Sequence, residues 1–199
     1  MSIREVREGS RLLERSFYAR PATEVARDCL GKILTHGRTA GRIVETEAYL
    51  GVDDRAAHAW RGLTNRTRVL FGPPGHAYVY FIYGMYECLN FVAEEEGRAG
   101  CVLIRALEPV AGIPLMRRRR PGAKRIEDLA SGPGKLTLAM GITRRLNGSD
   151  LVRGPLQVRR LSDEPAAEIA VTPRVGITHC AEWPLRFVIA NSRFVSRAS

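Results

Sequence analysis

The chain contains no apolar run approaching the roughly 20 residues that a helix needs to cross a bilayer, which excludes a helical membrane span. Its first residues, Met1 to Arg15, are charged and lack the apolar centre of a secretory signal, so the expectation is a soluble, cytoplasmic protein. Cysteine is sparse: Cys29, Cys88, Cys101 and Cys180 lie far apart, with no Cys-x-x-Cys and no histidine at a metal-ligand spacing. A disulfide framework and a zinc site are thereby disfavoured, and the expectation is buried free thiols, no metal and no cofactor. Tryptophan occurs only twice. No internal repeat or low-complexity tract is present.

What is abundant is positive charge. Lysine and arginine number 31 against 21 aspartate and glutamate, a formal net charge of +10, and arginine supplies nearly all of it. Such a surface attracts polyanions, and the planar fork of arginine suits phosphate oxygens better than the point charge of lysine. Charge alone favours nucleic acid only slightly over a simple replacement of lysine by arginine. With 199 residues and 45% hydrophobic content, the length fits one domain spanning 1–199, expected as a monomer.

The punctuation of the sequence sets the fold class. Pro21-Ala22-Thr23 opens a short helical pattern with Gly31 as its stop, and Ser131-Gly132-Pro133-Gly134 precedes a helix through Met140 that ends at Gly141. Ile33-Leu34-Thr35 and Arg42 to Leu50 read as strands joined across Gly37–Gly41. Further strands are expected at 77–82, 87–93, 101–107 and 185–190. Short turns, rather than regular strand-helix-strand spacing, predict an α+β domain: a mixed, largely antiparallel sheet packed with helices, and a protruding hairpin with Tyr83-Gly84-Met85-Tyr86 at its tip.

Within this frame the densest chemistry lies between Glu45 and Asn90. Side chains alternate along a strand, so Glu45, Glu47 and Tyr49 project together. Unpaired buried carboxylates are costly, so at least one of these acids is expected either to pair with a base or to line a wet cleft. Tyr78 and Tyr80 share a strand face, and if it meets the one bearing Tyr49, two rings can sandwich a planar base. Tyr83 at an exposed tip is suited to wedge between stacked bases. Cross-strand core packing and turn stapling are the ordinary alternatives.

Several runs together resemble the alkyladenine, or 3-methyladenine, DNA glycosylase family: Arg-Ile-Val-Glu-Thr-Glu-Ala-Tyr-Leu-Gly (42–51), Ala-Ala-His (56–58), Phe-Gly-Pro-Pro-Gly-His-Ala-Tyr-Val-Tyr (71–80), Ile-Tyr-Gly-Met-Tyr (82–86) and Arg-Ala-Leu-Glu-Pro (105–109). Ser-Gly-Pro-Gly-Lys-Leu (131–136), Arg-Val-Gly-Ile (174–177) and Pro-Leu-Arg-Phe (184–187) extend the similarity over nearly the whole chain. The resemblance implies double-stranded DNA as partner and hydrolysis of an N-glycosidic bond in a flipped, damaged purine. It implies that Glu47 activates water, Arg105 lies near the flipped nucleotide, Tyr49 and Tyr80 stack on the base with His58 opposite at its edge, Asn90 rejects a 2-amino group, and Tyr83 intercalates. His58 stands above the other histidines on this ground alone.

Some features depart from the family pattern. Glu87 and Glu94-Glu95-Glu96 place acid close to where the duplex is expected, and Pro114 either begins a helix or breaks one. Arg117–Arg120 reads as a solvated helix end and is left out of the site. Two other classes stay open: a glycoside hydrolase using Glu45 and Glu47 as a carboxylate pair, and a non-catalytic nucleic-acid binder.

Overall fold

The computed structural model describes residues 1–82, 84–163 and 166–196. Among the described residues nine strands form one sheet: β1 Ser10–Leu12, β2 Ile33–His36, β3 Thr39–Tyr49, β4 Ala77–Ile82, β5 Tyr86–Val92, β6 Cys101–Ala111, β7 Leu156–Leu161, β8 Ile169–Thr172 and β9 Arg186–Ile189. Their order is β1-β7-β2-β3-β6-β5-β4, with β9 beside the second half of β3 and β8 beyond it. Every pairing among the described residues is antiparallel. The helices among the described residues are α1 Ile3–Glu8, α2 Arg15–Tyr18, α3 Ala22–Asp28, α4 Ile113–Arg119 and α5 Pro133–Met140, and short 3₁₀ turns lie between β3 and β4 and after α5. The α+β expectation holds.

β3 is the hub because it is paired on both edges: β2 and then β9 on one side, β6 on the other. All but two of its residues are accordingly buried. The expected loop between β2 and β3 is shorter than 37–41. His36 faces Thr39 directly, leaving Gly37 and Arg38 as the turn, and Gly37 takes the left-handed φ of +56° that such two-residue turns require. Thr39-Ala40-Gly41 are already strand.

Alternation along β4, β5 and β6 separates two environments. Ala77, Val79, Leu89, Phe91, Val102 and Ile104 point into the main core, where they meet α3 and α5. Tyr78, Tyr80, Cys88, Asn90, Cys101, Leu103 and Arg105 point to the opposite face and line a cavity. On β3, Thr46 faces the helical side, its hydroxyl donating to the Ala26 carbonyl of α3 at 2.8 Å. The acid row therefore lies on the cavity side.

Proline at 114 does not break α4. It sits in the first turn, where its missing N–H has no helical acceptor to lose. The following arginines behave largely as a helix end: Arg119 donates to the Ala139 carbonyl at 2.9 Å and Arg120 to the Leu129 carbonyl at 2.8 Å. β4 and β5 form the expected hairpin, with Phe81, Met85 and Tyr86 exposed near its tip. Tyr83 lies outside the described residues. The base of the tip rests on α5, since a Cβ on Gly134 would come within 2.7 Å of the Tyr86 ring.

Candidate active site

Four strands deliver the site in one lateral row: Glu47 of β3 faces Leu103 of β6, Leu103 faces Asn90 of β5, and Asn90 faces Tyr78 of β4. Around this row lies a cavity of about 370 Å³, lined among others by Tyr49, His58, Tyr80, Asn90 and Arg105. That volume is at the small end of the range for ligand clefts, about 300–1,000 Å³. Of the seven sequence-predicted residues, five therefore share one cavity, Glu47 lies immediately behind its wall, and Tyr83 lies outside the described residues.

Glu47 has no solvent-exposed surface, yet its carboxylate touches three groups that line the cavity. The Tyr49 hydroxyl donates to Oε2 at 2.9 Å, the Val175 amide donates to Oε1 at 2.8 Å, and Arg105 Nη1 lies 3.2 Å from Oε1. Oε2 thus receives one donor among the described residues and keeps lone-pair capacity for another. Glu45, equally buried, is bound more completely. Its Oε1 accepts from Arg105 Nε at 2.9 Å, Arg186 Nε at 2.7 Å and the Ser196 hydroxyl at 2.8 Å, and its Oε2 accepts from the Ser196 amide at 2.7 Å. Both acids are paired, and neither lines the cavity directly. A carboxylate pair flanking a sugar is not what these groups form, because Glu45 is spent on three side chains and a backbone amide.

Arg105 reaches both acids because the β3–β6 ladder is irregular there. Ile43 and Glu45 oppose the consecutive residues Leu107 and Ala106, whereas Glu45 and Thr46 oppose Ala106 and Ile104, so Val44 and Arg105 are each the extra residue of a bulge. Bulges re-aim side chains. Burial pulls the Arg105 guanidinium down from its ordinary range, and the charges of Glu47 and Glu45 outweigh that and hold it above. It remains a fixed cation.

The aromatic walls are set by neighbours as well as by alternation. Tyr80 packs on Tyr78 with centroids 5.4 Å apart, and His58 meets Tyr80 edge-on at 4.5 Å. His58 is carried by a 3₁₀ turn, His58–Arg61, whose next residue, Ala59, is wholly buried against this aromatic cluster. Arg66 Nη2 approaches His58 Nε2 at 3.4 Å and can only donate, so Nε2 accepts, and Nδ1–H donates to the Tyr78 hydroxyl at 3.0 Å. Burial, then the Arg66 charge, lowers the His58 ring to about 4, leaving it neutral at physiological pH. Burial, with Glu47 adding to it, raises Tyr49 far above the ordinary tyrosine range; burial and Cys88 do the same for Tyr80. Asn90 donates from Nδ2 to the Tyr78 carbonyl at 3.3 Å, which fixes the orientation of its amide.

Cys29, Cys88 and Cys101 are buried free thiols as expected, and Cys180 is partly exposed. The expected acid near the hairpin tip is only partly there. Glu87 is held by Arg144 at 3.3 Å, whereas Glu94, Glu95 and Glu96 follow β5 at the end opposite to the tip. Residues that the sequence reading missed are Arg66 at the rim, Val175 on Glu47, and the buried pair Asp54–Arg174 beneath Tyr49. The 174–177 run carried a signal of importance but no role, and Asp54 carried none.

The profile of the family described as methylpurine-DNA glycosylase matches residues 16–193. Among similar proteins, one from Methanoculleus marisnigri is 54% identical over 191 residues, covering 93% of this chain and 98% of its own length. Another, from Methanocella arvoryzae, is 52% identical, covering 94% and 96%, and a bacterial one, from Koribacter versatilis, is 50% identical, covering 92% of each. All three carry the provisional name 3-methyladenine DNA glycosylase. With a match of this extent laid over a carboxylate cradled behind a tyrosine-walled cavity, the chain belongs to the methylpurine-DNA glycosylase family.

Proposed function

We propose that this protein excises alkylated purines from double-stranded DNA by hydrolysing the N-glycosidic bond, with the damaged nucleotide turned out of the duplex into the cavity between Tyr49 and Tyr80. The observation that carries the reading is the Glu47 cradle: one carboxylate, held by three donors at the back of an aromatic cavity in a protein of net charge +10.

Rupture of the bond builds positive charge on the sugar, and a fixed carboxylate both stabilises that charge and accepts the proton of an attacking water. Glu47 fills this role through the free capacity of Oε2, while Arg105 and the Val175 amide hold the carboxylate in place. Tyr49 and Tyr80 stack on the base, and their phenols stay protonated. Electron-rich rings favour a base made cationic by alkylation at a ring nitrogen. His58 at the rim, neutral and with its proton on Nδ1, does not repel such a base. Asn90 places a fixed amide against the base edge and excludes a purine bearing a 2-amino group. Tyr83 fills the space left in the duplex, and extrusion is cheapest for a damaged or mispaired nucleotide, where the cost is about a few kcal/mol. Deaminated purines such as hypoxanthine belong to the same substrate class. The protein acts as a cytoplasmic monomer without cofactor.

The test is single-turnover excision from duplexes carrying one 3-methyladenine, hypoxanthine or ethenoadenine, read by alkaline cleavage of the resulting abasic sites. Wild type should excise at least one lesion and form no borohydride-trappable adduct. The Glu47→Gln variant should bind the same duplex and leave it intact; unchanged excision by that variant would refute the assignment, and binding without excision by wild type would make the protein a binder only.

A further inference from the structure

Tyr49 has two faces, and only one is open to the cavity. Beneath the ring lies Arg174, whose side chain has no exposed surface and whose guanidinium carbon is 4.6 Å from the ring centroid. Arg174 is held there by a forked pair with Asp54, Nη1–Oδ2 at 2.5 Å and Nη2–Oδ1 at 3.0 Å, and by donation to the Ala48 carbonyl at 3.1 Å. Asp54, also fully buried, is itself fixed by the Leu50 and Ala56 amides at 3.2 and 3.0 Å. A sealed side chain against a ring that lines a cavity occupies that ring's outer face. Nothing in the chemistry of bond cleavage described above uses this cation.

A tyrosine ring attracts a cation through the negative potential of its faces, and a guanidinium already stacked on one face draws on the same electrons. We propose that the Asp54–Arg174 pair is a specificity device: Arg174 loads the outer face of Tyr49 and weakens its preference for cationic damaged purines over neutral ones, and Asp54 sets how strongly by compensating the charge. The proposal rests on the glycosylase reading and goes beyond it, since it assigns lesion choice to two residues that line up behind the wall and do not touch the base.

Single-turnover rates on paired duplexes carrying cationic 3-methyladenine or neutral hypoxanthine, neither of which bears a 2-amino group, test it, because the ratio of the two cancels changes in folded fraction. Arg174→Met keeps an apolar filler and leaves Asp54 negative, and should raise the cationic-to-neutral ratio by about tenfold, the scale of a desolvated cation–π contact. Asp54→Asn keeps acceptors for the loop amides and leaves Arg174 uncompensated, and should lower the ratio. The double variant carries no unpaired charge, guarding against a single variant that does not fold, and should give a ratio between those of wild type and Arg174→Met, since the ring is unloaded and the extra negative charge of Asp54 is gone. A role confined to stability moves both single variants in the same direction or leaves the ratio unchanged, and either result overturns the proposal. Wild type that excises neither lesion would instead sink the glycosylase reading and this inference with it.

Discussion

Glu45 and Glu47 stand two residues apart on one strand, are equally sealed from solvent and share one arginine, yet they are different groups. On the Glu45 side, Arg105, Arg186 and Ser196 close around the carboxylate from β6, β9 and the segment after it. On the Glu47 side, the partners are a cavity-lining phenol, a backbone amide and the far end of the same guanidinium. Burial alone therefore does not distinguish these two acids. The number of donors and what lies behind them do.

The sharpest way to break this comparison is to neutralise each acid in turn. Glu47→Gln retains shape and should cost about 10²–10⁴ in single-turnover excision, the usual worth of a general base, with duplex affinity preserved. Glu45→Ala should act on folding instead. It strands Arg105 and Arg186, and breaking one side of a buried ion network costs about 3–5 kcal/mol, read as a lowered urea midpoint. If the two substitutions gave the same mixture of effects, the distinction would be lost.

A smaller effect sharpens the Glu47 side alone. Tyr49→Phe keeps the stacking ring and removes the donor to Oε2, and should slow excision about tenfold or more, the worth of a hydrogen bond to a charged group, with little change in melting temperature. The smallest concerns the rim. Burial and then Arg66 hold the folded-state His58 at about 4, so on acidification the unfolded chain protonates this ring first. Its contribution to stability is fully present above about pH 6.5 and is lost as the pH falls from there toward the folded value. Melting temperature should therefore drop more between pH 7 and pH 5 in wild type than in His58→Gln, and equal drops would remove His58 from the account.

Much of the frame was legible because local signals agreed with it. The 77–82 strand coincides with β4, the helix expected after Gly134 ends at Met140 as α5 does although α5 already begins at Pro133, and the shared face of Glu45, Glu47 and Tyr49 follows from alternation. The cluster of Glu47, Tyr49, His58, Tyr80, Asn90 and Arg105 was nameable only through the family resemblance. Partners that lie far away in sequence were not readable. Val175 reaches Glu47 across 128 residues and Arg174 reaches Asp54 across 120, and no local pattern encodes either contact. The paired bulges that place Arg105 between two acids are likewise a property of the ladder and not of either strand. The extension of β3 back to Thr39 was missed because glycine at 41 read as turn, whereas a Cβ there would meet that of Leu107 at 2.9 Å.

One consequence follows from Ser196, which seals Glu45 with both its amide and its hydroxyl. A chain emerging from the ribosome has both acids and Arg105 available before the groups that fix them, at 175, 186 and 196. Domains fold as units once their sequence is complete. The bracing of both carboxylates thus waits until the chain has been made as far as Ser196, and a product cut short before Val175 carries both acids without these later partners.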